Sequence, residues 1–190
     1  KRKMNIHTNT MVNKITKLKS SVKVHIKDGD IVEADLVLIS IGVKGNIEDL
    51  GLKDCGIITD NGWIKVNSFM ETSQPNVYAI GDVSGPPWLA HKASAEGITA
   101  VEHLAELNPE PMHYDNIPGC TYCHPEVASV GLTEKMATEQ GYKLKIGKFP
   151  FRGLGKAIAM GDTDGFVKVI YDAKYGEMLG CHIIGAEATN

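Results

Sequence analysis

The most constraining feature of the chain is a change of rhythm between residues 77 and 107. The short apolar run Val77-Tyr78-Ala79-Ile80 stops at Gly81-Asp82, and a loop Ser84-Gly85-Pro86-Pro87 follows. A helical pattern then runs from about Leu89 to Leu107, with Ala90, Ala93, Gly97, Ala100, Val101 and Leu104 on one face. A buried strand feeding a loop and a helix is an α/β unit, and such units bind ligands beyond the carboxyl ends of their strands. Asp82 is therefore placed to accept a hydrogen bond from a sugar or sugar-alcohol hydroxyl. The same carboxylate could equally cap the turn or the next helix. Trp88-Leu89-Ala90-His91 opens the helix, where free backbone N–H groups and the positive helix end suit an electron-rich ligand group. From position alone, His91 reads more simply as a partly exposed residue of the first turn.

Upstream, Val22, Val24 and Ile26 alternate with polar residues as a half-buried strand does, and Asp28-Gly29 makes a hairpin turn. Ile31 to Val43 follows, and its run Leu36-Val37-Leu38-Ile39 predicts a strand covered on both faces. Residues 1–43 thus read as a small β-meander, and 44–56 as loop. Ile57-Ile58-Thr59 and Trp63-Ile64-Lys65-Val66 flank a turn at Asp60-Asn61-Gly62. Asn108-Pro109-Glu110-Pro111 stops the helix and marks a boundary that ends before Pro118.

Beyond it the pattern changes. Val127–Val130, Leu144–Phe149, Phe166–Tyr171 and Met178–Ile184 read as strands, with a turn at 174–176 joining the last two. Thr133 and Gly141 bracket a short helix as N-cap and C-cap. This predicts an α+β domain on an antiparallel sheet. Gly153-Leu154-Gly155 has no third glycine at 158 and no helical pattern after it, so it reads as a surface loop. Thr189 and Asn190 are N-cap types with no helix after them, so the chain reads as cut at both ends.

Composition excludes several classes. The net charge is −3 with charges spread along the chain, which argues against nucleic acid or an anionic membrane as main partner. The longest apolar run, Leu36 to Val43, is too short to span a bilayer. Lys1–Lys3 are followed by polar Asn5, His7 and Asn9 rather than the apolar core of a leader. Four cysteines in 190 residues read as reduced thiols of a cytosol-like compartment. Cys120-Thr121-Tyr122-Cys123-His124 matches haem attachment and contains the CxxC of redox dithiols, and His113 nearby admits a zinc reading. Cys55 and Cys181 are isolated, and the CxxC runs through strand-like residues before Pro125. Incidental thiols are the simplest reading, and no metal site is assigned.

Taken together, the segments carry a more specific signal. Residues 72–82, Thr-Ser-Gln-Pro-Asn-Val-Tyr-Ala-Ile-Gly-Asp, resemble the second flavin motif of the pyridine nucleotide–disulfide oxidoreductases. Leu89-Ala90-His91-Lys92-Ala93 with Glu96-Gly97 is similar to the lipoamide dehydrogenase form of that family's next helix. Residues 124–134, then Phe149-Pro150-Phe151 and residues 162–168, are similar to its dimerisation domain.

The resemblance implies a fold that is α/β plus α+β. Residues 1–43 would end an NAD-binding domain, 44–116 would return to the FAD-binding central region, and 117–190 would open an interface domain. It implies that Asp82 binds the ribityl chain of FAD, that Trp88, Leu89, Ala90 and His91 run past the flavin, and that Gly42 and Val12 lie near NAD. After Gly42 the chain lacks the Arg and Pro that many members carry. The implied activity is oxidation of protein-bound dihydrolipoamide with reduction of NAD+. The implied partners are a second copy in a homodimer and the lipoyl-bearing acyltransferase of a 2-oxo-acid dehydrogenase complex. The location would be the cytoplasm, or the mitochondrial matrix in a eukaryote. The family's redox cysteine pair, glycine motifs and His–Glu dyad are expected outside these residues. No catalytic residue is therefore assigned, and the chain by itself is expected to be inactive. A dimerising module without catalysis, a thiol or haem carrier, and another FAD disulfide reductase are the alternatives.

Overall fold

In a computed structural model describing residues 4–27 and 29–190, the chain forms two compact units, Lys1–Val43 and Lys44–Asn190. The first is an antiparallel meander of β1 (Val12–Lys17), β2 (Val22–Ile26) and β3 (Ile31–Ala34), in that order. Pairing of Val22 with Ala34 and Val24 with Val32 follows the alternation seen in the sequence. The Lys1–Lys3 opening and Asp28 of the expected turn lie outside the described residues, and Gly29 next to it has φ +124°.

The strand expected to continue to Val43 stops at Ala34. Leu36, Leu38 and Ile41 are 83%, 87% and 93% exposed, so the run is not covered on two faces. A doubly covered strand needs neighbours along both edges and layers above and below. The meander's sheet ends at β3 and supplies none to residues 36–41.

In the second unit, β4 (Thr59–Asp60) and β5 (Trp63–Ile64) pair around Asn61-Gly62. Both turn residues have positive φ, +48° and +93°, as a tight two-residue hairpin requires. The arms are shorter than the sequence suggested. Val77–Ile80 is not a strand: Tyr78 makes one isolated bridge to Glu71, and the Ala79 N–H donates to the Met70 carbonyl at 3.0 Å. The segment wraps fully buried Met70 rather than joining a sheet.

Helix α1 (Ala90–Leu104) follows, ending before the expected Leu107. Its buried residues are Lys92, Glu96, Thr99 and Ala100, whereas Val101 and Leu104 of the expected apolar face are exposed. The small residues do serve close approach. A side-chain carbon on Gly81 would lie 3.5 Å from Ala93, and one on Gly97 3.3 Å from Ile80. The charged residues turn inward because this flank of α1 faces the polar backbone of residues 81–85.

The remainder is a five-stranded antiparallel sheet of order β6-β7-β10-β9-β8. Its strands are β6 (Gly119–Thr121), β7 (Glu126–Gly131), β8 (Leu144–Pro150), β9 (Gly165–Asp172) and β10 (Met178–Gly185). Thr133 caps α2 (Glu134–Glu139), its hydroxyl accepting from the Met136 N–H at 3.2 Å. Gln140 is the C-cap, and Gly141 follows it at φ +84°. A short helix α3 (Gly155–Met160), ended by left-handed Gly161, replaces the loop expected after Gly153. Six residues are too few to print a helical period in the sequence. Glycine is required at Gly185, where a side-chain carbon would lie 2.2 Å from the Phe151 ring.

Candidate functional site

Residues 81–85 form the centre of the site. Gly81–Ser84 is a single 3-10 turn, not the end of a strand. Gly81 sits at φ +77°, a conformation that glycine adopts without strain. Asp82 is exposed, and the N-cap positions of this turn and of α1 are Ile80 and Leu89. The N-cap position of α1 is Leu89 in extended conformation, and among the described residues it makes no side-chain cap hydrogen bond. Its first-turn N–H groups thus have no side-chain acceptor.

This turn is tied to α1 by charged hydrogen bonds. Lys92 and Glu96 are one helical turn apart, fully buried, with Nζ 3.0 Å from Oε1. The Lys92 ammonium also donates to the carbonyls of Gly81 and Gly85, at 2.9 Å each. The Glu96 carboxylate accepts the Gly81 N–H at 2.7 Å and the Tyr114 hydroxyl at 2.8 Å. The Ser84 hydroxyl lies 2.7 Å from the Gly81 carbonyl and 3.2 Å from Glu96 Oε1. Burial and the neighbouring Glu96 carboxylate push the Tyr114 phenol well above the usual tyrosine range.

The other expected residues fall around this turn or apart from it. Trp88 and Leu89 are half-buried, and Ala90 and His91 are exposed. His91 Nε2 stands 2.7 Å from the Pro118 carbonyl. A carbonyl only accepts, so Nε2 carries the proton and donates. The indole N–H of Trp88 is buried and has no hydrogen-bond partner among the described residues. Val12 and Gly42 belong to the first unit. Val12 pairs with Ile26 and is exposed, and Gly42 has φ +120° with open space where a side chain would be. Cys120 is half-buried in β6, Cys123 is exposed, and all four cysteines are free thiols.

Sequence reading assigned no role to Lys92, Glu96, Ser84 or Tyr114. A Lys and a Glu four apart on a helix ordinarily mark a solvated face. The signals that single them out are their setting among Ala90, Ala93 and Gly97 and their place in the helix segment that carries the family resemblance. Tyr114 lies 18 residues beyond Glu96 and gives no local signal.

Two family models match the chain. One, described as pyridine nucleotide-disulphide oxidoreductase, covers residues 1–97, and the dimerisation domain of the same group covers 117–190. The chain belongs to the pyridine nucleotide–disulphide oxidoreductase family. Among curated members, the chain is 47% identical to a dihydrolipoyl dehydrogenase of Rhizobium etli, over all of this chain and 40% of that protein. It is 54% identical to one from Zymomonas mobilis, over 80% of this chain and 33% of that protein. The chain thus spans well under half the length of these curated relatives. LpdA from Mycobacterium tuberculosis superposes with a TM-score of 0.86 at 26% identity, covering 96% of this chain and 40% of that one. The HOCl-induced flavoprotein disulfide reductase RclA from Escherichia coli gives 0.81 at 25% identity, covering 95% of this chain and 42% of that one. These likenesses establish the expected fold class, with the antiparallel sheet of residues 119–185 lying within the dimerisation domain.

Proposed function

We propose that these residues form the flavin-side turn and the interface domain of an FAD-dependent dihydrolipoyl dehydrogenase. The observation that carries this reading is the exposed Asp82 carboxylate on a turn fixed from behind by the buried Lys92–Glu96 pair. A rigid turn presenting one acceptor suits the hydroxyls of a ribityl chain. The uncapped start of α1 and the unpartnered Trp88 indole N–H fit an acceptor-rich ring system alongside residues 88–91. FAD, when bound, supplies the electron transfer between dithiol and nicotinamide. The chain's own part is to hold and orient it: Asp82 accepts from the ribityl hydroxyls, and Trp88, Leu89, Ala90 and His91 line the flavin.

Val12 and Gly42 serve the NAD side within residues 1–43. Residues 44–116 are the flavin-side region and 117–190 the homodimer interface. The lipoyl-bearing acyltransferase of a 2-oxo-acid dehydrogenase complex delivers the substrate, in the cytoplasm or a mitochondrial matrix. The name shared by the Rhizobium and Zymomonas relatives supports dihydrolipoamide over other disulfide substrates. Cysteines occur at 55, 120, 123 and 181, so no CxxxxC pair is present and the isolated chain does not turn over.

NADH-dependent lipoamide reduction tests the reading. The holoprotein containing these residues reduces lipoamide, and the isolated chain does not. A holoprotein inactive on lipoamide but active on another disulfide would replace the substrate assignment.

A further inference from the structure

The Lys92–Glu96 pair is fully buried and offers no atom to solvent, yet it contacts the turn's backbone at three points. Lys92 shares its three N–H groups among the Gly81 and Gly85 carbonyls, the Glu96 carboxylate and, at 3.2 Å, the Ser84 hydroxyl, and Glu96 receives the Gly81 N–H, the Tyr114 hydroxyl and Lys92. Every strong donor and acceptor of the pair is used. Gly81 and Gly85, the two turn glycines it holds, are themselves buried, and Asp82 between them is not. The pair fixes the backbone on both sides of the one exposed carboxylate.

We propose that Lys92 and Glu96 are positioning residues for the flavin site, acting through the backbone of Gly81 and Gly85 to set the direction of the Asp82 side chain. This rests on the assignment of Asp82 to the flavin. Ser84 and Tyr114 complete the arrangement by donating to the free positions of the Gly81 carbonyl and the Glu96 carboxylate. Apolar residues of equal size would fill the same space and leave the turn's N–H and carbonyls unheld. The role therefore requires charged or strongly polar groups at 92 and 96, not bulk.

The test compares wild type, Asp82→Ala, Glu96→Gln and Tyr114→Phe in the flavin-loaded holoprotein. Flavin dissociation is followed by the return of free-flavin fluorescence, and amide exchange is followed residue by residue. Glu96→Gln keeps the side-chain shape but halves its acceptor capacity. It speeds exchange of the Gly81 amide and flavin loss by about tenfold each, while amides of β7, β9 and β10 exchange as in wild type. Tyr114→Phe, a milder change that keeps the fold, shifts both in the same direction by a smaller factor. A purely structural role would speed exchange throughout the unit and lower thermal stability without a selective effect at Gly81. Wild-type flavin retention in both Glu96→Gln and Tyr114→Phe, with Asp82→Ala impaired, overturns the positioning role and leaves the flavin assignment standing. Wild-type retention in Asp82→Ala overturns both.

Discussion

Lys92 Nζ lies 3.0 Å from Glu96 Oε1, and neither side chain reaches solvent. An ion pair so placed is poor evidence for stability in itself, because desolvating two charges offsets most of their attraction. Its use here is to the backbone. Without it the buried Gly81 N–H and the Gly85 carbonyl would lack these partners, at about 1–3 kcal/mol for each group left bare, while the Gly81 carbonyl would keep only the Ser84 hydroxyl. Lys92→Met, which leaves the Glu96 carboxylate buried and unpaired, should destabilise the unit by about 3–5 kcal/mol in denaturant unfolding. A loss under about 1 kcal/mol would mean the pair is not closed from water.

Tyr114 gives the site a pH signature. Its phenol is held protonated by burial and by Glu96, so its folded-state pKa is raised. A raised pKa contributes stability that is complete below the unfolded value, about 10, and is lost as pH rises through the folded value. Wild type should therefore lose stability above about pH 10 more steeply than Tyr114→Phe. Thermal melts across that range check this, and parallel slopes for the two proteins would contradict it.

Two glycines of the dimerisation domain, one in the sheet and one in α3, should respond in opposite ways. A side-chain carbon on Gly180 would lie 2.2 Å from the Leu132 carbonyl oxygen, which is backbone and cannot swing aside. Gly180→Ala should cost at least about 1–3 kcal/mol. Gly155, at the start of α3, has nothing within 4 Å, so Gly155→Ala should be neutral or stabilising by up to about 1 kcal/mol. Paired denaturant curves decide between this contrast and equal effects.

Thr133 should behave as a true cap. Its hydroxyl receives the Met136 N–H, and α2 is only six residues long, so Thr133→Ala should lower stability by about 1 kcal/mol while Thr133→Ser restores most of it. A fully stable Thr133→Ala protein would show that the helix is held by packing alone.

The legibility of these features follows from how local their causes are. Thr133, the Asn61-Gly62 turn and the strands at 126–131, 144–150, 165–172 and 178–185 depend on neighbours a few residues away, and alternation or turn chemistry prints them in the sequence. Leu36–Ile41 and Val77–Ile80 failed as strands because an apolar run reports a wish for burial, not a pairing partner. The first has no strand beside it in the meander's sheet, and the second curls around Met70. At the site, the helix start near residues 88–91 is legible in the sequence, whereas Asp82 sits on a 3-10 turn where the sequence suggests the end of a strand. The Lys92–Glu96 pair was hidden, because whether such a pair faces water or backbone is decided by residues 81–85 folding back across it.

Flavin retention after substitution of Asp82 decides whether the Gly81–Ser84 turn holds the cofactor. Visible absorption spectra of the holoprotein and of Asp82→Ala would be recorded after saturation with FAD and exhaustive dialysis. Wild type should retain its flavin bands and the variant should lose most or all of them, with the far-ultraviolet signature of the fold unchanged. Equal flavin content in the two proteins would contradict the assignment of the Gly81–Ser84 turn to the cofactor.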